Sequence, residues 1–197
     1  MTLDGAGNVY AVDGGNHTVD RFAWGNFTAT YTTYGTLGSG SGQFRGPNGM
    51  ALDSAGNVWV ADANTNRVVR FNPANFAGTF TSFGSFGSGT GQFNAPVDLT
   101  IDAAGNVYVA DYFNNRIDVF NPANFAGSFT SFGSAGSGSG QFNNPRAVAV
   151  DHFDNVFVAD EGNNRITELT TAPEPASAAL LLGGGCALLA LRRRRAA

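Results

Sequence analysis

The chain has 197 residues, of which only 13% are charged, and its formal net charge is −4. It contains 27 glycines and 17 phenylalanines but no lysine, a composition typical of a turn-rich β protein with an aromatic core rather than of a disordered chain. The residues before Thr171 include 14 acidic side chains and 7 arginines. Such an acidic surface argues against nucleic-acid binding, which depends on neutralising phosphates.

A unit of 49 residues recurs along the chain. Gly-Gln-Phe occurs three times at this spacing, at 42–44, 91–93 and 140–142. An aspartate and an aromatic residue return in the same phase, as Asp13, Asp62, Asp111 and Asp160 and as Tyr10, Trp59, Tyr108 and Phe157. Repeats of this size indicate solenoids, propellers or arrays.

The units predict short strands separated by Gly, Asn and Asp turns. The first unit predicts strands at 9–13, 19–22 and 31–34 after a turn at 4–8. The second and third predict strands at 50–53, 58–62, 67–71 and 80–83 and at 99–102, 107–111, 116–120 and 129–132. The fourth predicts strands at 148–151 and 156–160 and reaches Leu169 without a fourth strand.

The second strand of each unit is apolar on both faces, because side chains alternate across a strand. In the second unit, Val58 and Val60 point to one side and Trp59 to the other. A strand of this kind must be covered on both sides. Four-stranded sheets that pack face to face meet this need, as in the blades of a β-propeller.

The pattern Gly-Gln-Phe, Pro, Ala-x-Asp, Gly-Asn-Val-Tyr-Val-Ala-Asp and Asn-Asn-Arg-Ile closely resembles the NHL repeat, over about residues 2–169. The resemblance implies an all-β fold, a β-propeller of four-stranded NHL-type blades at 1–170. About four blades are present, fewer than a typical NHL propeller has, so we expect an incomplete ring. We expect further blades and an export signal upstream; the alternatives are a four-bladed ring and self-association.

The units are longer than the usual NHL repeat. The extra residues are expected in hairpins between the third and fourth strands, at 72–79 and 121–128.

The composition changes at Thr171. A linker at 171–175 with a Pro-Glu-Pro motif precedes 16 uncharged residues at 176–191, which are followed by four arginines. This run is slightly shorter than the roughly 20 residues that span a bilayer, but arginines at its end can snorkel to the interface. We expect a C-terminal hydrophobic helix that crosses the membrane, with the arginine-rich end in the cytoplasm.

The same order of features resembles the PEP-CTERM sorting signal of Gram-negative bacteria. The residues that carry this resemblance are Pro173, Glu174, Pro175, Arg192, Arg193, Arg194 and Arg195. The resemblance implies recognition by an exosortase, removal of the segment at 176–197 and delivery from the inner membrane to the cell surface or extracellular matrix. A plain C-terminal membrane anchor is the alternative.

The sequence offers little support for catalysis. His17 and His152 lie at different repeat positions, so a zinc site made of several histidines is not expected. A Ser or Cys nucleophile has no support either, because Gly-x-Ser-x-Gly is absent and Cys186 lies in the tail. The glycine-rich connectors at 38–42, 87–91 and 136–140 have no accompanying lysine or helix, which disfavours phosphate binding. We expect no catalytic residue, metal or cofactor.

The repeated aspartates and arginines have a structural interpretation and a functional one. A ring of carboxylates could bind Ca²⁺. Because each residue recurs once per unit, turn formation and Asp–Arg pairing are the favoured roles. The residues concerned are Asp62, Asp111, Asp160, Arg67, Arg116 and Arg165.

The turn after the second strand differs between the units and is the predicted binding face. Its candidate residues are Asn64, Tyr112, Phe113, Asn114 and Glu161. Tyr112 and Phe113 are unusually apolar for an exposed turn, and they predict either a contact surface for a protein or sugar or packing against the adjacent blade.

The favoured function is therefore that of an exported, surface-sorted, non-catalytic module that binds a protein or an extracellular polysaccharide. The alternative is a propeller enzyme of the lyase or lactonase type with part of its active site in missing blades.

Overall fold

In the computed structural model, residues 1–169 are described, and they form four antiparallel sheets, numbered I to IV in chain order. Sheet I consists of Thr2–Leu3, Asn8–Asp13, Thr18–Ala23 and Thr32–Tyr34. Sheet II consists of Pro47–Leu52, Val58–Asp62, Arg67–Phe71 and Thr81–Phe83. Sheet III consists of Pro96–Ile101, Val107–Asp111, Arg116–Phe120 and Thr130–Phe132. Sheet IV has three strands, Pro145–Val150, Val156–Asp160 and Arg165–Leu169.

Short strand pairs lie between consecutive sheets, and single helical turns lie between strands. Three parallel strand pairs connect consecutive sheets: Thr36–Leu37 with Gln43–Phe44, Ser85–Phe86 with Gln92–Phe93, and Ser134–Ala135 with Gln141–Phe142. Single helical turns lie at Phe27–Thr30, Phe76–Thr79 and Phe125–Ser128. The 3₁₀ turns lie at Ala63–Thr65, Pro73–Asn75, Tyr112–Asn114, Pro122–Asn124 and Glu161–Asn163.

The all-β prediction is confirmed, and the sheets form part of a propeller-like ring. The second and third strands of sheets II and III have the predicted bounds. The first strands begin three residues earlier than predicted, at Pro47, Pro96 and Pro145. A register shift follows each of these prolines, and the first residue of a strand is a position where proline is tolerated.

The extra residues of the long units do lie between the third and fourth strands, but they form helical turns and not a simple hairpin. The Asn72 side chain accepts a hydrogen bond from the Ala74 N–H, and proline follows at the first helical position. Thr79 closes the segment, because its hydroxyl accepts from the Asn72 N–H at 2.7 Å. The third unit repeats this arrangement at 121–128.

Neighbouring sheets pack face to face through three hydrophobic clusters. The cluster between sheets I and II contains Tyr10 and Val19 from one sheet and Val58 and Phe71 from the other. The other two clusters join sheet II to sheet III and sheet III to sheet IV. Both faces of the second strand in sheets II and III are therefore buried, as the two-sided apolar pattern predicts.

An aromatic residue fixes the path of each connector between sheets. Phe93 is completely buried, and its ring lies so close to Gly84 that an added Cβ would come within 2.4 Å of it. Gly84 also has a φ of +93°, which side chains rarely tolerate. Gly35 with Phe44 and Gly133 with Phe142 repeat this contact.

One repeat position is buried in sheets I to III but exposed in sheet IV, the last sheet described. Val19, Val68 and Ile117 are at most 1% exposed, because each faces the next sheet. Ile166 occupies the same position in sheet IV and is 76% exposed. The burial of this position therefore depends on a neighbouring sheet and not on the strand itself.

The predicted sorting signal and the predicted hydrophobic helix fall at 171–197, outside the described residues. Within residues 1–169, no helix has the length and apolar character needed to cross a membrane.

Ile117→Ala and Ile166→Ala test the packing between sheets with the same chemical change at equivalent positions. We expect Ile117→Ala to lower the free energy of unfolding by about 2–5 kcal/mol, because it leaves a cavity in a closed cluster. Ile166→Ala is expected to change it by less than about 0.5 kcal/mol, as at an exposed site. Urea denaturation of both variants gives the comparison, and equal losses would contradict the described packing.

Candidate functional site

The turns that follow the second strands lie at one end of the sheets, since the sheets repeat in the same orientation. We call this end the turn face; it comprises the 3₁₀ turns Ala63–Thr65, Tyr112–Asn114 and Glu161–Asn163. The residue that ends each turn has a left-handed conformation, with φ between 51° and 55°. Asparagine, which occupies all three positions, tolerates this conformation better than most residues.

A buried ion pair holds each turn. Asp62 lies at the end of the second strand, and its Oδ2 is 3.1 Å from Arg67 Nε. The other carboxylate oxygen accepts a hydrogen bond from the Arg45 N–H at 2.7 Å. Asp111 with Arg116 and Asp160 with Arg165 form the same pair at 3.2 and 2.8 Å.

The arginine of each pair also holds the glycine-rich connector. Arg67 donates from Nη1 to the Ser39 carbonyl and from Nη2 to the Gln43 carbonyl, both at 2.7 Å. The Gln43 side chain accepts from the Gly40 N–H at 2.9 Å. The ion pair, the turn and the connector therefore form one hydrogen-bonded network, which we call the framework. Both later units repeat its contacts.

The residue that ends each of the first two turns also reaches the next sheet. Asn66 Oδ1 accepts from the Ala95 N–H, and Asn115 Oδ1 accepts from the Asn144 N–H, both at 2.9 Å. His17 occupies the equivalent position in sheet I, where its Nδ1 accepts from the Gly46 N–H at 3.1 Å. His17 therefore takes the place of a repeat asparagine.

Sheet III contains a second buried carboxylate beside its ion pair. Asp118 Oδ1 lies 2.9 Å from Arg116 Nε, which also pairs with Asp111, and Asp118 accepts a hydrogen bond from the Ser131 hydroxyl. Burial, reinforced by the neighbouring Asp111 carboxylate, raises the pKa of Asp118 to about 8. Burial also raises the pKa of Asp111. One arginine therefore faces two carboxyl groups that together retain a proton near neutral pH.

A half-buried carboxylate, that of Asp98, joins two first strands. Asp98 Oδ2 accepts from the Val148 N–H at 3.1 Å, and burial raises the pKa of Asp98. The neighbouring position in sheet II is Gly49, where an added Cβ would lie 2.5 Å from the Asp98 Cα. The contact depends on two different strands, and no signal in one repeat alone predicts it.

The structure separates the predicted binding residues into exposed and engaged groups. Phe113 is 58% exposed, and Asn64 and Glu161 are exposed as well. Tyr112 is half-buried and packs against the cluster between sheets III and IV. Asn114 donates from Nδ2 to the Asp111 carboxylate at 2.6 Å and to the Gly87 carbonyl at 2.8 Å, so its amide serves the framework.

The exposed group has both apolar and charged character. The Phe113 ring contacts the Tyr112 ring edge-on, with 5.0 Å between the centroids. Glu161 lies 3.8 Å from Arg146, a weak ion pair between exposed side chains. Within residues 1–169, no group of three or more His, Cys, Asp or Glu side chains has an arrangement that could hold a metal ion.

Sequence reasoning missed a cavity at the opposite end of the sheets, between sheets I and II. Its volume is about 270 Å³, and its lining includes Tyr10, Arg21, Gly56, Asn72 and Pro73. These residues come from two units and four separate segments, so their proximity follows only from the packing of the sheets.

Asp118→Thr tests the cluster formed by Asp111, Arg116 and Asp118. It introduces the residue type that occupies the equivalent position in sheet IV, Thr167. A carboxyl group whose pKa is raised by folding stabilises the protein fully below its unfolded pKa and loses this contribution as the pH rises. The wild type should therefore lose stability relative to the variant between about pH 4 and pH 8, by at most about 1.4 kcal/mol per pH unit.

Urea denaturation at several pH values measures this difference. Val69→Thr provides the control at the equivalent position in sheet II, which has no carboxylate there. Its stability should change with pH in parallel with that of the wild type. Parallel curves for the wild type and Asp118→Thr would contradict the assignment.

Comparison with known proteins identifies the repeat. The sequence model of the NHL repeat matches residues 44–71 and 93–120. No curated protein matches the sequence significantly.

Solved structures share the fold at low sequence identity. A streptogramin B lyase superposes with a TM-score of 0.65 at 16% identity, over 88% of this chain and 51% of the lyase chain. A virginiamycin B lyase from Staphylococcus aureus gives 0.64 at 19% identity, over 88% and 52%. A chain of a nidogen/laminin complex gives 0.63 at 17% identity, over 83% and 55%.

This chain thus spans about half the length of the structures that it matches. The repeat matches and the shared architecture together support an NHL-repeat β-propeller protein, of which the described residues form four consecutive sheets.

Proposed function

We propose that this protein is a non-catalytic binding module that is exported and sorted to the bacterial cell surface. Its turn face would bind a protein or an extracellular polysaccharide. The observation that carries the proposal is the exposure of Phe113. This residue lies on a turn whose Asp–Arg ion pair recurs in the neighbouring sheets.

The turn holds Phe113 in place before any ligand arrives. Its backbone N–H donates to the Asn94 carbonyl at 3.1 Å, and the Tyr112 ring supports its side chain. An aromatic side chain that is already ordered loses little conformational entropy on binding. Binding residues are also often found on loops that a rigid scaffold positions.

Variation between the units favours a ligand-specific role for this face. The residues that precede each turn, Asp62, Asp111 and Asp160, are the same, whereas the exposed second position of the turn differs, as Asn64, Phe113 and Gly162. A framework that is constant and a surface that changes are typical of recognition modules. The nidogen/laminin complex, which by its name joins two proteins, provides a structural precedent for binding by this architecture.

An enzyme of the lyase or lactonase type is the second candidate, because two of the similar structures are lyases. The fold does not distinguish between the two functions. Conversion of a bound ligand by the purified protein would favour the enzyme.

The proposal of surface sorting is based on the sequence of the C-terminal segment at 171–197. The Pro-Glu-Pro motif, the apolar run and the four arginines follow one another at 173–195, in the order that an exosortase recognises in proteins of the PEP-CTERM type. We propose that such an enzyme removes this tail and releases the propeller sheets to the cell surface.

Phe113→Ser tests the turn face. We expect at least about fivefold weaker binding to the extracellular polysaccharide or matrix protein that the wild type binds, because a central aromatic contact contributes more than about 1 kcal/mol. Biolayer interferometry on purified fractions of the producing bacterium's matrix measures the affinity.

Phe153→Ser is the matched control, since Phe153 is 71% exposed and lies in a first-to-second-strand turn at the opposite end. It should leave the affinity unchanged. If both variants bind as the wild type does, the turn face is not the binding surface.

Glu174→Ala tests processing of the tail in the bacterium that makes the protein. The wild type should reach the surface without the segment at 176–197, which intact-mass spectrometry detects. The variant should retain this segment and remain in the membrane fraction, as should the wild type in a strain without exosortase. A full-length wild-type protein in the membrane would instead indicate a plain anchor.

A further inference from the structure

The cavity between sheets I and II contains a cation whose hydrogen bonds are incomplete. Arg21 Nε is buried and has no hydrogen-bond partner among the described residues. The guanidinium carbon lies 5.9 Å from the centre of the Tyr10 ring, a cation–π contact that leaves the N–H unsatisfied. A buried donor without a partner costs about 1–3 kcal/mol, so the protein leaves the guanidinium of Arg21, a residue that lines the cavity, incompletely bonded.

The repeat supplies an internal comparison. Arg70 occupies the position of Arg21 one unit later, where it lies over Trp59 at 5.6 Å. Its Nε is 3.7 Å from the Asp53 carboxylate. Asp4 occupies the position of Asp53 in sheet I and interacts with Arg21 electrostatically, but no hydrogen bond from a described residue satisfies the buried Arg21 Nε.

The walls of the cavity are already fixed. Asn72 donates from Nδ2 to Asn57 Oδ1 at 3.3 Å and accepts from the Ala74 N–H at 2.9 Å. Pro73 and Ala74 add apolar surface on the same side. A volume of about 270 Å³ is just below the roughly 300–1,000 Å³ of most ligand sites, so it suits one small ring and not a large molecule.

We propose that Arg21 binds the carboxylate of one uronic acid residue at the end of an acidic polysaccharide. A guanidinium pairs well with a carboxylate, and Pro73 and Ala74 offer apolar surface to the carbons of a sugar ring. The acidic net charge of the protein disfavours binding along a polyanionic chain, whereas pairing with the terminal uronic acid residue alone engages a single charge. This inference rests on the proposed binding function and names the ligand class for a second site.

Calorimetric titration of the full-length protein in mild detergent with D-glucuronate, and with D-glucose as the neutral probe, tests this site. We expect glucuronate to bind with a Kd on the order of 1 mM and glucose at least about tenfold more weakly. Arg21→Gln should weaken glucuronate binding at least about tenfold. Arg70→Gln is the matched control and should leave the affinity unchanged.

Ala74→Phe provides a second variant, because Ala74 is exposed at the cavity and a larger side chain there blocks it without entering the core. It should also abolish glucuronate binding. The proposal is overturned if the wild type does not bind glucuronate, or if Arg21→Gln binds it as well as the wild type does.

The outcomes for the two sites are independent. If glucuronate fails to bind but Phe113→Ser still weakens capture of the matrix ligand, the uronate site is wrong and the proposed function stands. If glucuronate binds at Arg21 but Phe113→Ser has no effect on capture, the turn face is wrong and the uronate site stands.

Discussion

The buried ion pair that ends each second strand fixes three segments of chain relative to one another. Asp62 joins the end of its strand to the backbone before the first strand, and Arg67 joins the third strand to the glycine-rich connector. Burying two charges costs several kcal/mol per ion, and their mutual attraction offsets that cost only where further hydrogen bonds satisfy the remaining polar atoms. The backbone groups of the connector supply these bonds, so the ion pair and the connector depend on each other.

This dependence explains why sequence reasoning succeeded where it did. The second strands are predictable because their apolar residues face a sheet on each side, and the third strands because each begins at the arginine of an ion pair. The first strands were predicted too short, because Pro47 precedes a bulge that breaks the alternating pattern. The helical turns at 72–79 escaped prediction because only four residues follow each 3₁₀ turn, too few for a helical period.

The candidate sites were predictable only in part. Local variation in the turns identified the exposed Phe113, but it also selected Asn114, whose amide is bound within the framework. The residues that complete the cavity beside Arg21, and the partner of Asp98, lie in other sheets, far away in sequence. A pattern within one unit reports on its own strand pairing, whereas these contacts depend on how two units pack.

Departures from the repeat therefore carry more functional information than the repeat itself. At Asp118 the departure adds a carboxylate inside the framework, where burial and the neighbouring Asp111 carboxylate raise its pKa. At Arg21 the residue type recurs as Arg70 but its contacts differ, and the cation lies beside a cavity. Both sites carry a similar cost, because each holds an ionisable group in a region of low polarity. Whether that charge serves stability or recognition is determined by what fills the space next to it: a second side chain of the protein at Asp118 and solvent-accessible volume at Arg21.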